Sequence, residues 1–285
     1  MQVKNLKINP QISYAQELKK AILEGKLQEK YLEKDYETGR ARNTLCVLNF
    51  PEAPRPLVLK IFGTTHKAST FRRLEIIISN IFKNLAQTSY QGSLNLIAAG
   101  VPTPKPIAYW SSDGPPWHRR DYFLYEHYPA SSLLQDVRSE IGPNPSIDKH
   151  HYFNQLVTRL ARLARKMHDA GLRHGDIATH NILVTEDNTL VLLDTDHVRK
   201  ARFGGVLKKF LDMHCFKRLS FSETGQLFFL RQYYGRDPTK LEWWLFRFWT
   251  RGGLRLQRWR KRWHQSSKST RLQPKPVERD HDHRE

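Results

Sequence analysis

Four side chains in the middle of the chain have the types and spacing that phosphoryl transfer needs. His174, Asp176 and Asn181 form the pattern His-x-Asp-x-x-x-x-Asn, and Asp194 follows the apolar run at 190–193. Phosphoryl transfer requires a carboxylate near the attacking hydroxyl and oxygen ligands for the cation that neutralises the phosphate charge. We therefore predict that Asp176 accepts or orients the hydroxyl proton, and that Asn181 and Asp194 bind magnesium. In the same pattern His174 would brace the loop.

A cation for the phosphates is predicted further upstream. Lys60 lies in the apolar run at 57–62, which is predicted to form a strand in the first half of the chain. A lysine in a strand often only extends its ammonium group to solvent, but this position favours a phosphate contact. Glu75 is the only acidic residue between Lys60 and Gly100, so we predict that it pairs with Lys60. The alternative for Glu75 is a solvated surface charge.

Asp196, two residues after Asp194, has two possible roles. It could be a second metal ligand, because carboxylates are ligands that magnesium prefers. It could also be a loop carboxylate paired with Arg199, which is the interpretation that we favour from the sequence.

The elements that must position these residues follow in a strand-rich first half and a helix-rich second half. Ser13 with Gln16 three residues later fits a capping box, and a helix is predicted over 13–24. Further elements follow from apolar runs and helical spacing. Strands are expected at 44–48, 57–62, 107–110, 122–125, 182–184 and 190–193, helices at 71–85, 87–99 and 152–170, and a proline-stiffened extended link at 101–106.

Composition restricts the class of protein. The 285 residues suit one large domain or two small lobes, and 39% hydrophobic residues permit a sizeable core. Two cysteines far apart fit a reducing compartment and indicate neither a disulfide framework nor a zinc motif. We find no run of signal-peptide length at the N-terminus and no stretch of 18 apolar residues, so no membrane span is expected. The net charge of +19 favours an anionic partner, which could be nucleic acid, acidic lipid or a phosphorylated sugar.

The segment 241–265 combines aromatic and basic residues. Five of the seven tryptophans lie between Trp243 and Trp263, among many arginines. Tryptophan favours the membrane interface and clustered basic residues attract anionic lipid, so we predict a membrane contact here. The alternatives are a helix packed on the protein or a nucleic-acid patch. Residues 266–285 are rich in serine, proline and charge, and we predict that they are disordered.

Three segments resemble the lipopolysaccharide kinases of the Kdo/WaaP family, and a fourth resembles a late helix of that family. They are the link at 98–106, the loop at 174–184, the segment at 192–199 and the stretch 228–234. The likeness implies an α+β, bilobal protein-kinase-like fold. A small β-rich N-terminal lobe would occupy residues 1–128, and a larger α-helical catalytic lobe would occupy residues 129–240.

The resemblance also implies ATP and Mg²⁺ as cofactors and a lipopolysaccharide core glycolipid as acceptor. The adenine would rest on main-chain groups near Glu126 and Tyr128, where the lobes join. Gly39 would belong to the phosphate loop, which is otherwise poor in glycine. We expect a monomer without nucleic acid, peripheral to the cytoplasmic face of the inner membrane.

Three functions are therefore open. The first is ATP-dependent phosphorylation of a sugar hydroxyl, on Kdo or heptose, in the lipopolysaccharide inner core. The second is a related kinase for a soluble acceptor, such as an aminoglycoside or a choline-like molecule, although the charge of +19 favours an anionic acceptor. The third is a kinase-like binding or stress protein that catalyses weakly, which the glycine-poor phosphate loop would suit.

Overall fold

Six antiparallel strands form the main sheet of the first half of the chain. The computed structural model describes residues 2–37, 43–63, 83–115, 118–128, 131–142, 146–201, 204–219 and 221–251. The strands are β1 (Val3–Ile8), β2 (Leu32–Glu37), β3 (Asn43–Leu48), β4 (Leu57–Phe62), β5 (Pro106–Ser112) and β6 (Asp121–Glu126). Their order is β1-β5-β6-β4-β3-β2, and every neighbouring pair is antiparallel. Lys60 therefore lies on a central strand.

The remaining elements are helices and five short strands. The helices are α1 (Ala15–Leu23), α2 (Leu27–Tyr31), α3 (Leu85–Ala98), α4 (Leu134–Ile141), α5 (Ile147–Asp169), α6 (Gly205–His214), α7 (Glu223–Tyr234) and α8 (residues 240–251). The short strands are β7 (Ser132–Leu133), β8 (Leu172–His174), β9 (Ile182–Val184), β10 (Leu190–Leu192) and β11 (Val198–Lys200). They pair as β10-β9-β7 and β11-β8 beside the helices of the second half.

The alternation of side chains along β4 separates two hydrophobic layers. Leu59 belongs to the buried cluster that also contains Leu18 of α1. Phe62 belongs to a different cluster, shared with Tyr90 of α3. Because side chains two residues apart in a strand point to the same face, Lys60 lies on the α3 side of the sheet.

The start of the chain differs from the sequence-based prediction. Helix α1 has Tyr14 at its N-cap without a side-chain hydrogen bond, so the capping box predicted from Ser13 and Gln16 is wrong. Strands β1 and β2 were not predicted. They are the two edges of the sheet, and most described side chains of β1 are at least partly exposed, so an apolar alternation is not required there.

Helix α3 approaches the second half of the chain closely. It begins at Leu85 after Asn84, whose side chain caps the helix. A Cβ atom built on Gly92 would lie 2.2 Å from the main-chain oxygen of Thr195, so only glycine permits this contact. The helix predicted over 71–85 lies outside the described residues except for its last three positions, of which only Leu85 is helical.

The proline-rich link is extended, as its sequence predicts, and joins the two halves. The main-chain oxygen of Pro102 accepts a hydrogen bond from the Leu192 N–H at 2.9 Å. The Thr103 hydroxyl donates to the Leu192 carbonyl at 2.7 Å. The link therefore runs beside β10, the strand that leads to Asp194.

Two caps fix helices of the second half. Helix α5 begins five residues before its predicted start, because the Ser146 side chain accepts a hydrogen bond from the Lys149 N–H. At α8, Thr239 and Glu242 form reciprocal bonds: the Glu242 carboxylate accepts from the Thr239 N–H at 2.8 Å, and the Thr239 hydroxyl accepts from the Glu242 N–H. Among the described residues, no helix combines the length and hydropathy that crossing a bilayer would need.

Candidate active site

The loop between β8 and β9, which we call the central loop (residues 174–181), is tied together by His174. Its Nε2 atom donates to the Leu193 carbonyl at 2.8 Å, and its Nδ1 atom accepts from the Asp176 N–H at 3.3 Å. Burial lowers the pKa of His174, which keeps the ring neutral and Nδ1 able to accept. The imidazole therefore connects the loop to the strand that precedes Asp194.

Asn181 closes the central loop from its other end. Its side-chain Nδ2 donates to the Asp176 carbonyl at 3.1 Å, and its main-chain oxygen accepts from the Leu193 N–H at 2.9 Å. Since the amide nitrogen is used in the loop, the side-chain oxygen is the atom that can serve as a cation ligand.

Asp176 is buried, and its two carboxylate oxygens have different surroundings. Oδ2 accepts a hydrogen bond from Arg218 at 2.5 Å, while Oδ1 has no hydrogen-bond partner among the described residues. Arg218 follows α6 and was not predicted from the sequence. Its only sequence indication is a basic pair with Lys217, 42 residues beyond Asp176, and no spacing rule connects it to the loop.

Lys60, on β4, forms an ion pair with Asp194, which follows β10. Burial alone would lower the pKa of Lys60, but the attraction of Asp194 and Asp196 outweighs it, and the pKa rises. Burial likewise opposes ionisation of Asp194, but the Lys60 ammonium outweighs it and lowers the pKa of Asp194. Both groups are therefore charged at neutral pH. Asp194 adopts a left-handed backbone with φ 59°, a conformation that concentrates at functional sites.

Asp194 and the following 3-10 helix, Thr195–His197, form what we call the acidic turn. Burial raises the pKa of Asp196, and the neighbouring charge of Asp194 adds to this rise although Lys60 opposes it. The pairing of the Asp196 carboxylate with Arg199 is wrong: the Arg199 guanidinium donates to the main-chain oxygens of Asp196 and Val198, each at 2.7 Å.

Helix α3 contacts the acidic turn through the Ser93 hydroxyl and the Ser89 carbonyl. Ser93 and Thr195 share a hydrogen bond of 2.9 Å between their hydroxyls, and the Thr195 hydroxyl lies 2.9 Å from the Ser89 carbonyl. Both serines line a small cavity beside Lys60. The predicted partner of Lys60, Glu75, and the predicted phosphate-loop residue Gly39 lie outside the described residues.

The strand proposed to hold adenine has part of its main chain already bonded. The Glu126 N–H donates to the Lys105 carbonyl at 3.0 Å, and the Tyr128 carbonyl accepts from the Ser131 hydroxyl at 2.9 Å. The Glu126 N–H is therefore already engaged within the protein.

Helix α8 has a packed face and an exposed face. On the packed side, Phe246 is completely buried, and the Trp249 indole N–H donates to the Phe210 carbonyl at 3.1 Å. On the other side Leu241, Trp244 and Phe248 are 49%, 58% and 49% exposed. The segment predicted as either a membrane contact or a packed helix thus combines a core-packed face with an exposed apolar face over its described part.

The exposed side of α8 continues onto α6. The Phe248 ring stacks on Trp244 and lies 6.1 Å from the ring of Phe210 in α6. One turn earlier in α6, Val206 and Leu207 are 65% and 47% exposed. We call this surface the outer face; it consists of Val206, Leu207, Leu241, Trp244 and Phe248.

Comparison with protein families gives one match over just over half of the chain. The model described as "Lipopolysaccharide kinase (Kdo/WaaP) family" matches residues 91–242. This range contains the central loop, the acidic turn and Arg218, while Lys60 lies before it.

Curated relatives and a solved structure agree with this match. The chain is 30% identical over 123 residues to a 3-deoxy-D-manno-octulosonic acid kinase of Vibrio parahaemolyticus, covering 43% of the chain and 48% of the relative. It is 29% identical over 98 residues to the enzyme of that name from Vibrio vulnificus, covering 34% of the chain and 37% of the relative. The chain therefore spans less than half the length of these relatives.

The solved structure "WaaP in complex with acyl carrier protein" has a TM-score of 0.59 and 18% identity, covering 88% of this chain and 99% of that one. At this identity the likeness is one of fold. It confirms the predicted α+β, bilobal kinase-like architecture.

Proposed function

The chain belongs to the lipopolysaccharide kinase (Kdo/WaaP) family, and from this premise we propose that it transfers the γ-phosphoryl group of ATP to a sugar hydroxyl of the lipopolysaccharide inner core, on Kdo or heptose. One observation carries the proposal. Lys60 and Asp194, 134 residues apart, meet beside the loop that holds Asp176. A cation for phosphate, a carboxylate for metal and a carboxylate for the acceptor are the groups that phosphoryl transfer needs.

Asp176 would receive the acceptor at its unpartnered oxygen Oδ1. The acceptor hydroxyl would donate to this oxygen, which orients the hydroxyl oxygen toward the γ-phosphorus. As the acceptor's hydroxyl oxygen bonds to the γ-phosphorus, the bond between the γ-phosphorus and the oxygen that joins it to ADP breaks. The electron pair of the broken bond leaves with ADP. The hydroxyl proton passes to Asp176.

The nucleotide side is proposed to use Lys60 on the phosphates, with Tyr128 and Glu126 near adenine and Gly39 and Glu75 in the roles that the resemblance implies. The residues present fit a divalent cation, because Asp194 and Asn181 offer oxygen atoms. In addition, the buried Oδ1 atoms of Asp176 and Asp196 have no hydrogen-bond partner among the described residues. Bound there, Mg²⁺ would neutralise charge on the transferring phosphates.

The acceptor side is basic. Arg218 contacts Asp176, and the neighbouring Lys217 lies 3.0 Å from His214 through Nζ and Nε2. The His214 ring packs edge-on against Trp249 of α8, with ring centroids 4.4 Å apart. A path of two basic side chains, Arg218 and Lys217, therefore leads from the catalytic carboxylate to His214, whose ring is kept neutral because burial lowers its pKa. This basic path suits an acceptor that carries a carboxylate or phosphate close to the reacting hydroxyl.

We also propose that the outer face rests on the cytoplasmic face of the inner membrane, where the glycolipid would be reached. Trp244 and Phe248 are large aromatic side chains of the kind that enter the interface region. Basic groups lie at both ends of α8: Lys209 and Arg236 bind Glu242 near its start, and Arg251 at its end is mostly exposed. Their charge would attract anionic lipid.

A kinase-like protein of weak activity is the second candidate, and the residue composition of α3 favours it. Helix α3 contains no acidic residue, so within its length nothing carries the carboxylate that pairs with the phosphate-binding lysine in protein kinases. A kinase for a soluble acceptor is a third candidate, and the basic path and the outer face favour the glycolipid over it.

Transfer of labelled phosphate from ATP to dephosphorylated lipopolysaccharide core, followed by mass analysis of the product, tests the proposal. We expect the wild type to phosphorylate one sugar hydroxyl, and Asp176→Asn to lower the rate by about 10³-fold, because the acceptor hydroxyl loses its proton acceptor. Asp169→Asn is the matched control, since Asp169 is an exposed carboxylate bonded to Arg165 on α5. Wild-type transfer by Asp176→Asn would contradict the assignment, and transfer to aminoglycosides but not to core would favour the soluble acceptor.

A further inference from the structure

Among the described residues, the acidic groups next to Lys60 come from one side of its cavity only. From α3 the cavity is lined by the hydroxyl-bearing residues Ser89 and Ser93. The acidic turn contributes Asp194, which lines the cavity and pairs with Lys60, and Asp196, which lies two residues further along the chain. Both carboxylates therefore arise from a single three-residue stretch of chain, next to the central loop.

One carboxyl oxygen of the buried Asp196 has no partner that explains its position. Asp196 is 8% exposed, and its Oδ1 atom has no hydrogen-bond partner among the described residues. Lys60 is bonded to Asp194, and the Arg199 guanidinium is bonded to main-chain oxygens. A buried carboxyl group in this state is costly unless something binds it in the working protein.

The two carboxyl groups of the acidic turn converge. The Oδ2 atoms of Asp194 and Asp196 lie 4.0 Å and 3.8 Å from the same atom, Nε2 of His197. Asp176, Asp194 and His197 also each offer a ligand atom within 4.8 Å of one another.

Two adjacent carboxylates repel each other unless a cation offsets their charge. A divalent cation does this for both at once, because it prefers oxygen ligands.

We propose that Asp196 is a direct ligand of the divalent cation, next to Asp194. This assignment rests on the proposed function and deepens it, because it adds a second carboxylate from the acidic turn to the pair of Asp194 and Asn181. The second carboxylate strengthens metal binding through ligand charge, while Lys60 is left to engage the phosphates.

Mn²⁺ binding to the full chain, measured by electron paramagnetic resonance and calorimetry with and without a non-hydrolysable ATP analogue, tests the assignment. We expect Asp196→Asn to weaken Mn²⁺ binding by about 10-fold or more, and Asp194→Asn to weaken it at least as much. Asp169→Asn, which removes one exposed carboxylate on α5, should bind like the wild type.

The controls separate this inference from the function itself. Asparagine keeps the size and shape of aspartate, so Asp196→Asn should fold; a melting curve checks this, and Asp196→Ser serves as a second variant. Wild-type Mn²⁺ affinity in either folded variant overturns the role of Asp196 and leaves the proposed function standing. Failure of the wild type to bind Mn²⁺, with or without the analogue, overturns both. Normal Mn²⁺ binding with no phosphate transfer to core overturns only the acceptor.

Discussion

The central loop and the groups that surround it are held by different kinds of contact. Within the loop, His174, Asp176 and Asn181 bond to one another and to Leu193 over short sequence distances. The surrounding groups come from far away: Lys60 from the sheet, and Arg218 from the segment after α6. A local pattern is therefore sufficient to specify the loop, whereas the charges on it depend on the packing of the whole chain.

Lys60, Arg218 and the aromatic residues of the outer face also differ from one another in burial. Lys60 is 8% exposed, the Arg218 side chain is 36% exposed, and Trp244 on the outer face is 58% exposed. Because charge interactions and apolar contacts weaken as water gains access, the effect of removing each group should fall in this order. The predictions below follow this order.

Replacement of Lys60 by methionine should have the largest effect. It removes the cation proposed for the phosphates and leaves the partly buried Asp194 without this partner. We expect kcat/KM for ATP to fall sharply and the free energy of unfolding to fall by roughly 3 kcal/mol or more. Steady-state kinetics and urea unfolding measure the two effects separately.

A matched control for Lys60 lies in the same sheet. Lys4 on β1 pairs with Asp113 at 2.6 Å, but both side chains are more than a third exposed. Lys4→Met should change stability little, since solvent screens such pairs. Equal losses of stability in the two variants would show that burial does not determine how much these ion pairs contribute to the free energy of unfolding.

Arg218 should have an intermediate effect that appears mainly in catalysis. We expect Arg218→Ala to lower kcat/KM for the acceptor by about 100-fold, because a charge-assisted bond at the catalytic carboxylate is lost. Arg218→Lys should recover part of the loss, since the charge stays but the planar fork does not. Separate values of kcat and KM for acceptor and ATP are the measurement.

The same kinetic measurement distinguishes a role of Arg218 on the acceptor from a role on the nucleotide. Arg218 acts on the acceptor side in our proposal, so KM for ATP should stay near the wild-type value. A variant that raises KM for ATP while leaving the acceptor unaffected would place Arg218 on the nucleotide instead. A wild-type rate for Arg218→Ala would show that its bond to Asp176 has no catalytic role.

Features that depend on local sequence could be predicted, whereas contacts that depend on tertiary packing could not. The strands around Lys60, the extended link and the central loop depend on local alternation, proline and fixed spacing, and they were predictable. Arg218 was missed because it meets Asp176 only through tertiary packing, and the capping box at Ser13 failed because a short motif does not ensure its geometry. Asp196 was assigned to Arg199 by proximity in sequence, while the folded chain directs that arginine to main-chain oxygens.

The outer face should give the smallest effect, and it tests whether the most exposed groups matter at all. We expect the double variant Trp244→Ser, Phe248→Ser to bind vesicles of phosphatidylglycerol and phosphatidylethanolamine about 10-fold more weakly than the wild type in a sedimentation assay, because two large apolar side chains no longer enter the interface. The matched control is Leu23→Ser with Ile147→Ser, which removes two exposed apolar side chains from α1 and α5. Phosphate transfer to a delipidated core sugar should be unchanged in both variants, since neither touches the cleft. Equal vesicle binding by all three proteins would show that the outer face is not the membrane contact, and the basic groups around Glu242 would then have to act without it.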